Sequence, residues 1–407
     1  MPDVPPQLLL DVDDREAREA PGGPTRSFQV AGLFAGIGGL ELGLSRAGHR
    51  TALLCENDPS ADAVLADRFP DVERAPDVCK LKSLPKGTDL VVGGFPCQDL
   101  SQAGKTVGIA GSRSGLVGEV FRLVEKQKVP WLVLENVPFM LQLARGQALD
   151  VIIDRLEDLG YKWAYRVVDT RAFGLPQRRQ RVFIVASLED DPRHVLLTDD
   201  AGKLEDPIGD DPAFGFYWTE GTRGLGWAVE AVPTLKGGSS VGIPSPPAIW
   251  LSNGEIVKPD IRDAERMQGF RAGWTAAAVN GGRESFRWKL VGNAVSVPVA
   301  KWLGERLANP RAFNLRDIQP VLRPGRAWPK VAWNVGEGRK TASMSLWPVR
   351  RKRKPLSEFL QYETEPLSVR ATAGFLKRTK KGSLRFPEGF LAAVEAHLVR
   401  VQQEAAV

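Results

Sequence analysis

The chain has 407 residues, 43% of them apolar and 26% charged, with three cysteines and three histidines. This is the balance of a folded globular protein with two or three domains and a core that needs no disulfide or metal staple. No run approaches the ~18 apolar residues of a membrane span, and no CxxC pair accompanies the sparse histidines, which speaks against membrane insertion and against a zinc site. The net charge of +6 is unevenly spread: residues 311–407 hold 19 Lys and Arg against 8 Asp and Glu, a net +11, leaving −5 for the rest. A basic segment of this kind is expected of a polyanion binder, although a solvated surface has the same composition.

Residues 1–26 are Pro-rich and acidic, and their apolar run, Leu8 to Leu10, is too short for a signal peptide. They read as a loose tail on a cytoplasmic protein. Residues 27–188 then alternate short apolar runs with helical stretches. FQVAGLF (28–34), TALLCE (51–56), DLVVGGF (89–95), WLVLEN (131–136) and RVFIVAS (181–187) read as buried strands. Helices are predicted over 39–48, 59–68, 115–128 and 147–159. This alternation implies an α/β fold with a mostly parallel sheet and helices on both faces, whose ligands bind beyond the carboxyl ends of the strands.

Residues 189–285 are rich in Gly and Pro, as in PTLKGGSSVGIPSPP at 233–247, and read as a smaller, loop-rich domain. An apolar helical pattern over 290–309 returns to the first domain, so 286–310 is assigned to it. From 311 onward the chain reads as a separate basic extension that includes VRRKRKP at 349–355.

The chemistry-bearing motifs fall at strand ends. Phe34-Ala35-Gly36-Ile37-Gly38-Gly39 is a glycine turn that lets a ligand approach the backbone. Glu41 stands where a dinucleotide fingerprint has its third glycine, which weakens a nicotinamide reading. Glu56, at the end of the second strand, suits the ribose of an adenosine cofactor. Gly93-Gly94-Phe95-Pro96-Cys97-Gln98-Asp99-Leu100-Ser101 places Cys97 on a glycine-hinged loop at the ligand edge, where a lid belongs. A free thiol is mostly protonated at neutral pH, so a nucleophile there needs a site that favours thiolate. Cys55 reads as a strand residue and Cys79 as incidental. Glu135 ends another strand on the same edge. In Gln177-Arg178-Arg179-Gln180-Arg181, extended backbone sends Gln177, Arg179 and Arg181 to one side.

FAGIGG, ENDP, GGFPCQDLS, LENV, QRRQR, RMQGF and GNAVSVPVA follow one another in an order that resembles the motif set of the DNA cytosine-5 methyltransferases, especially the bacterial restriction-modification type. The resemblance covers about 27–310. It implies a Rossmann-like S-adenosylmethionine-dependent sheet, with 27–188 catalytic and cofactor-binding and 189–285 recognising the target. It implies that Cys97 adds to C6 of a flipped cytosine, that Glu135 holds N3 and the exocyclic amine, that Arg181 binds O2 and that Arg179 orders the site. For S-adenosylmethionine it implies contacts from Phe34, Gly36, Gly38, Glu56, Asp77, Pro96, Leu116 and Asn293. For double-stranded DNA it implies contacts from Gln98, Ser101 and the Thr-Leu pair at Thr234. Arg262 and Arg266 resemble arginines with fold or phosphate roles.

A cognate restriction endonuclease acting on the same site and a monomeric enzyme are also expected. Asp99-Leu100 departs from the usual small residue and Phe. The segment 311–407 lies outside the family core and is expected to contact DNA phosphates; a docking domain or a nuclear localisation signal are competing readings. Among rivals, the RNA-methylating branch carries a Cys-Phe-Thr segment that this chain lacks. A non-catalytic DNA-binding relative would lack Cys97, Glu135 or Arg181. A nicotinamide oxidoreductase leaves the Pro-Cys-Gln and QRRQR motifs unexplained.

Overall fold

The structure is a computed structural model that describes residues 26–96, 115–202, 211–222, 224–237, 246–279, 284–321 and 327–406. The tail before Arg26 and the candidates Cys97, Gln98 and Ser101 lie outside the described residues. Five strands run parallel in the order β3-β2-β1-β4-β5: β1 (Gln29–Leu33), β2 (Arg50–Cys55), β3 (Glu73–Ala75), β4 (Leu90–Gly93) and β5 (Trp131–Asn136). The side chains of β1, β4 and β5 alternate between two cores, as a pleated strand buried on both faces requires. Leu132 and Leu134 enter one core with helices α3 (Leu116–Gln127) and α4 (Gln147–Asp158). Trp131 and Val133 enter the other with α1 (Gly39–Arg46), α5 (Arg193–Leu196) and α8 (Val297–Ala308). Helix α2 (Pro59–Arg68) starts on a conventional cap, with Asp58 accepting the amides of Ser60 and Ala61.

The sheet is only half parallel, which corrects the mostly parallel expectation. Strand β6 (Lys162–Asp169), missed by the apolar-run reading, is followed by a short connection and then β7 (Gln177–Arg178) and β8 (Gln180–Ser187). Strand β8 turns back between β5 and β6 and pairs antiparallel with both. A connection this short cannot make the crossover that parallel neighbours need.

Just before the segment 311–407 come two helices, α7 (Ser285–Asn293) and α8, joined by an elbow at 294–296, with α8 packed in the same core as α1. Helix α8 lies so close to α1 that a Cβ on Gly43 would overlap that of Ala300.

The smaller sheet contains β9 (Phe214–Phe216), β10 (Ala228–Val229), β12 (Ala248–Trp250) and β13 (Ile256–Lys258), while β11 (Val232–Pro233) pairs with β7 beside the catalytic sheet. Helix α6 (Ile261–Arg266) follows it.

The segment 311–407 does not stand apart as an extension. Its strands β14 (Gln319–Pro320), β15 (Val331–Asn334) and β16 (Lys340–Thr341) widen the large sheet to ten strands, with β15 antiparallel to β6. Farther on come α9 (Leu356–Phe359), β17 (Glu365–Pro366), α10 (Val369–Thr379) and α11 (Phe390–Glu404). There β17 joins the small sheet at β13, and Phe375 and Phe390 pack on Phe216. Arg262 and Arg266 are taken up by this segment: their guanidiniums lie over the rings of Tyr362 and Phe359 while pairing with Asp260 and Asp263.

Glu41 is the conspicuous buried acid of the fold. Both its oxygens lack a hydrogen-bond partner, and Oε1 presses against the bare Cα of Gly32 in β1. Burial, reinforced by the charge of Glu56, pushes its pKa up to about 8. The unfolded chain gives up this proton near the ordinary carboxylate range, whereas the folded chain keeps it. The native state is therefore favoured at low pH and loses that advantage as pH rises toward 8. Glu41→Gln is expected to melt higher than the parent at pH 8–9, with the difference shrinking toward pH 5; melting curves at both pH values check this.

Candidate active site

The parallel strands β1, β2, β4 and β5 end along one edge, and β8 begins there because it runs the other way. After β1 the chain turns sharply. Phe34 takes a left-handed conformation (φ 54°), unusual for a side-chain-bearing residue and a form of local strain that collects at functional sites. Gly36 (φ 56°) and Gly38 (φ 80°) are also left-handed, but they serve different ends. Open space lies where Gly36 would carry a Cβ, so a ligand can approach its backbone. A Cβ on Gly38 would strike the ring of Phe69, so that glycine answers to packing.

Glu56 ties the turn to β2. Its Oε2 accepts the Gly36 amide at 2.7 Å, and its Oε1 accepts the amides of Asn57 at 2.9 Å and Asp58 at 2.8 Å. A carboxylate has about four acceptor positions, so one remains for a donor such as a sugar hydroxyl. Asp77, just past β3, accepts the Cys79 amide at 2.9 Å, the main reason its carboxyl is held below the usual range. Leu116 begins α3 and packs, with Phe34, against the core of that face.

A cavity opens at the centre of this edge, lined by Phe34, Gly36, Gly94, Glu135, Asn293 and the backbone around Ala294 and Val295. It brings together four of the sequence candidates: Phe34, Gly36, Glu135 and Asn293. Glu56 is held directly behind Gly36. Gly38, Asp77, Leu116, exposed Pro96 and Thr234 lie outside its lining.

Glu135 and Arg181 form a buried ion pair, with Nε 2.8 Å from Oε1. Glu135 Oε1 nevertheless receives no well-aligned hydrogen bond. Burial raises the Glu135 pKa, and Arg181 and Arg179 oppose the rise without cancelling it. The carboxyl therefore keeps both hydrogen-bonding capacity and a tendency to hold a proton.

Arg179 is also fully buried, but the two terminal nitrogens of its guanidinium are spent on backbone. It donates to the carbonyl oxygens of Gly292 at 3.0 Å and Ala294 at 2.6 Å, with a longer contact to Leu235. Gln177 receives the Leu235 amide and donates to the Met267 carbonyl. Thr234 donates to the Arg178 carbonyl at 2.9 Å, so the Thr-Leu pair is clamped to the arginine strand.

Several contributors escaped the sequence reading. Tyr217 donates to the Thr234 carbonyl at 2.7 Å, and the Lys236 ammonium sits 3.6 Å from the centre of its ring. Gln268 donates to the Val291 carbonyl and accepts from Ser296, bracing the elbow that supplies Ala294 and Val295. Gln268 stands inside the RMQGF motif and was visible there; no sequence signal marks Tyr217. The two described cysteines are poor nucleophiles. Burial first, then Glu56 and Asp77, push the Cys55 thiol up to about 12, and Cys79 is raised as well by partial burial and Asp77.

Residues 28–209 match the family described as C-5 cytosine-specific DNA methylase. The chain is 47% identical to the Type II methyltransferase M2.BsuMI of Bacillus subtilis over 382 residues, covering 90% of this chain and 97% of that protein, a span that reaches into the C-terminal segment. It is 35% identical over 185 residues to the Type II methyltransferase M.MspI of Moraxella sp, 44% of either chain. The fold is similar to that of the S. pombe Dnmt2 methyltransferase (TM-score 0.52, 16% identity, covering 69% of this chain and 98% of that one). Among the described residues no helix is long and apolar enough to cross a membrane. With its motif order and its sheet-edge site, the chain belongs to the C-5 cytosine-specific DNA methylase family and is a DNA cytosine-5 methyltransferase of the bacterial restriction-modification type.

Proposed function

We propose that the enzyme uses S-adenosylmethionine and holds it in the cavity at the carboxyl edge of the sheet. The observation that carries this is the pairing of an open, left-handed Gly36 with a Glu56 carboxylate that has one acceptor position left. Phe34 would cover the adenine, Glu56 would take the ribose hydroxyls, and Gly36 and Asn293 would flank the methionine part. Asp77, Pro96 and Leu116 are assigned to the rim, and Gly38 to shaping the turn. When bound, this cofactor supplies an electrophilic methyl group to C5 of the target.

The protein's own part is to make C5 nucleophilic. Cys97 Sγ is proposed to bond to C6 of a flipped-out cytosine, sending the C5–C6 electron pair toward C5 and, through C4, onto N3 and O2. Glu135 holds N3 and the exocyclic amine and donates the proton that balances this addition. Arg181 faces O2, where negative charge develops. After C5 is substituted, loss of its proton returns the electrons and expels the thiolate. The raised pKa of Glu135 supports the donor role, and the raised thiols of Cys55 and Cys79 leave Cys97 as the residue suited to attack. Arg179 is a positioning residue that fixes the elbow at 292–296. Gln98, Ser101 and Thr234 are assigned to the DNA. The likeness to type II enzymes supports a companion endonuclease acting on the same site, with the methyltransferase a cytoplasmic monomer.

Labelled methyl transfer to mixed-sequence duplex DNA, with transfer RNA in parallel and nucleoside analysis of the products, tests the reading. The expected product is 5-methylcytosine in the DNA; label confined to the RNA overturns the substrate assignment. Cys97→Ser should abolish transfer and keep cofactor binding, and Glu135→Gln should slow transfer by about 10²–10⁴-fold. Normal turnover by either contradicts its role. Arg179→Met removes the guanidinium donors of the Gly292 and Ala294 carbonyls and should raise the KM for cofactor, lower the melting temperature and speed amide exchange at Val297, whose N–H is bonded to Gln268 O. Unchanged exchange there would remove Arg179 from the positioning role.

A further inference from the structure

The basic run at 349–355 does not hang free. It leaves the large sheet after Trp347, which is buried under the guanidinium of Arg171. The Arg351 amide then donates to the Ala172 carbonyl at 3.0 Å. The carbonyl of Lys352 sits on the bare Cα of Gly174, where a Cβ would come within 2.9 Å of it. The run ends where the Leu356 amide donates to buried Glu230 at 2.6 Å and Leu356 enters the core of the small domain. The chain thus forms a strap between the two domains, pinned at its start, middle and end. The side chains of Arg350, Arg351, Lys352 and Lys354 remain exposed.

Its position follows from the register of the sheet. Asp169 pairs with Gln180 and Val168 with Arg181, so β6 ends at the edge where the arginine strand begins. Residues 170–174, directly under the strap, continue from that end and lead into Gln177. The strap therefore lies at the reactive edge, on the same turn as the half-buried Arg178, which feels the charge of its neighbour Arg171. The carboxylates nearest the pinned backbone are already engaged. Asp169 is held by Arg171 and Gln180, and Glu230 by the amides of Ala213 and Leu356. Glu358, one turn beyond Lys354, is the exposed acid closest in sequence. Lys352 and Lys354 form no ion pair among the described residues.

We propose that this strap grips the phosphate backbone of duplex DNA outside the target base, acting as a sequence-independent rail between the two domains. The inference rests on the enzyme's reading as a DNA methyltransferase. Its partner is a polyanion because the exposed groups are all cations. That polyanion is the substrate duplex because the strap sits at the edge where the target base must enter. A backbone already pinned by its own hydrogen bonds has little ordering entropy left to lose on binding, unlike a basic tail. Contacts of this type orient the protein on DNA and carry no base information.

The test compares the parent with Lys352→Gln/Lys354→Gln and with the charge-keeping Lys352→Arg/Lys354→Arg. Both side chains are exposed, so the backbone pins survive either change. Affinity for a fluorescent mixed-sequence duplex is measured across a salt series, together with the KM for DNA and the affinity for S-adenosylmethionine. Removing one lysine–phosphate interaction should lower the log–log salt slope by about 0.9, on the order of 2 for the pair. The expected result is that lower slope and a raised KM for DNA in the glutamine variant, parent-like values in the arginine variant, and the same cofactor affinity and methylated positions in all three. A glutamine variant with the parental slope and KM overturns the strap proposal while leaving the methyltransferase reading intact. A parent that binds no duplex at any salt overturns both.

Discussion

A carboxyl and a guanidinium buried side by side, Glu135 and Arg181, are the contact on which the rest of the site depends. Removing both charges from water is costly, and the attraction between them offsets that cost only when the geometry is good and the remaining valences are used. The fold provides the geometry by reversing one strand. Strand β8 enters between β5 and β6 and runs against both, so its first residues meet the last residues of β5. A parallel β8 would carry its arginines to the opposite end of the sheet. Glu135 at the same time lines a cavity, with its Oε2 on the side of Gly94. An unsatisfied buried acceptor is a penalty in a purely structural protein and an asset where a substrate supplies the missing donor.

Around this pair the chain uses buried polar side chains to hold backbone segments from distant parts of the sequence. Arg179 and Gln268 grip the elbow between α7 and α8, and Tyr217 and Gln177 grip the Thr234-Leu235 segment that follows β11. These bonds set the small domain against the catalytic sheet at the place where a base would sit. The C-terminal segment acts at longer range. Trp328 lies edge-on to Trp163 and Tyr165, its strand extends the large sheet, and its helices close the aromatic core of the small one. One stretch of chain thereby adds strands to both sheets.

Four of the five parallel strands, β1, β2, β4 and β5, were legible because each is a short apolar run, with boundaries that fall within a residue or two of the observed ones; β3, the short and largely exposed ERA, was not. Strand β6 was not, because KWAYRVVD is broken by charge. Its Arg166 is fully buried, yet its partners are the carbonyls of Asp199 and Ser345 and the carboxylate of Asp200, 33, 179 and 34 residues away. The role of the C-terminal segment was hidden for the same reason. Strands of two to four residues such as QP, VAWN and KT carry no pattern until their partners are known. Charge composition marked 311–407 as basic but could not show that most of it is scaffold. In the site, motif order pointed to residues that the fold gathers at one edge, including Glu135, Arg181 and Asn293. Spacing alone could not separate Gly36, which faces open space, from Gly38, which faces Phe69.

The most direct test of this mechanism is to trap the attack itself. A duplex pool carrying 5-fluorocytosine, whose C5 substituent cannot leave as a proton, is incubated with the enzyme and S-adenosylmethionine, and any protein–DNA adduct is digested and mapped. The predicted result is an adduct at Cys97 in the parent that is sharply reduced in Glu135→Gln. An adduct on another residue, or undiminished trapping without the Glu135 carboxyl, would contradict the mechanism.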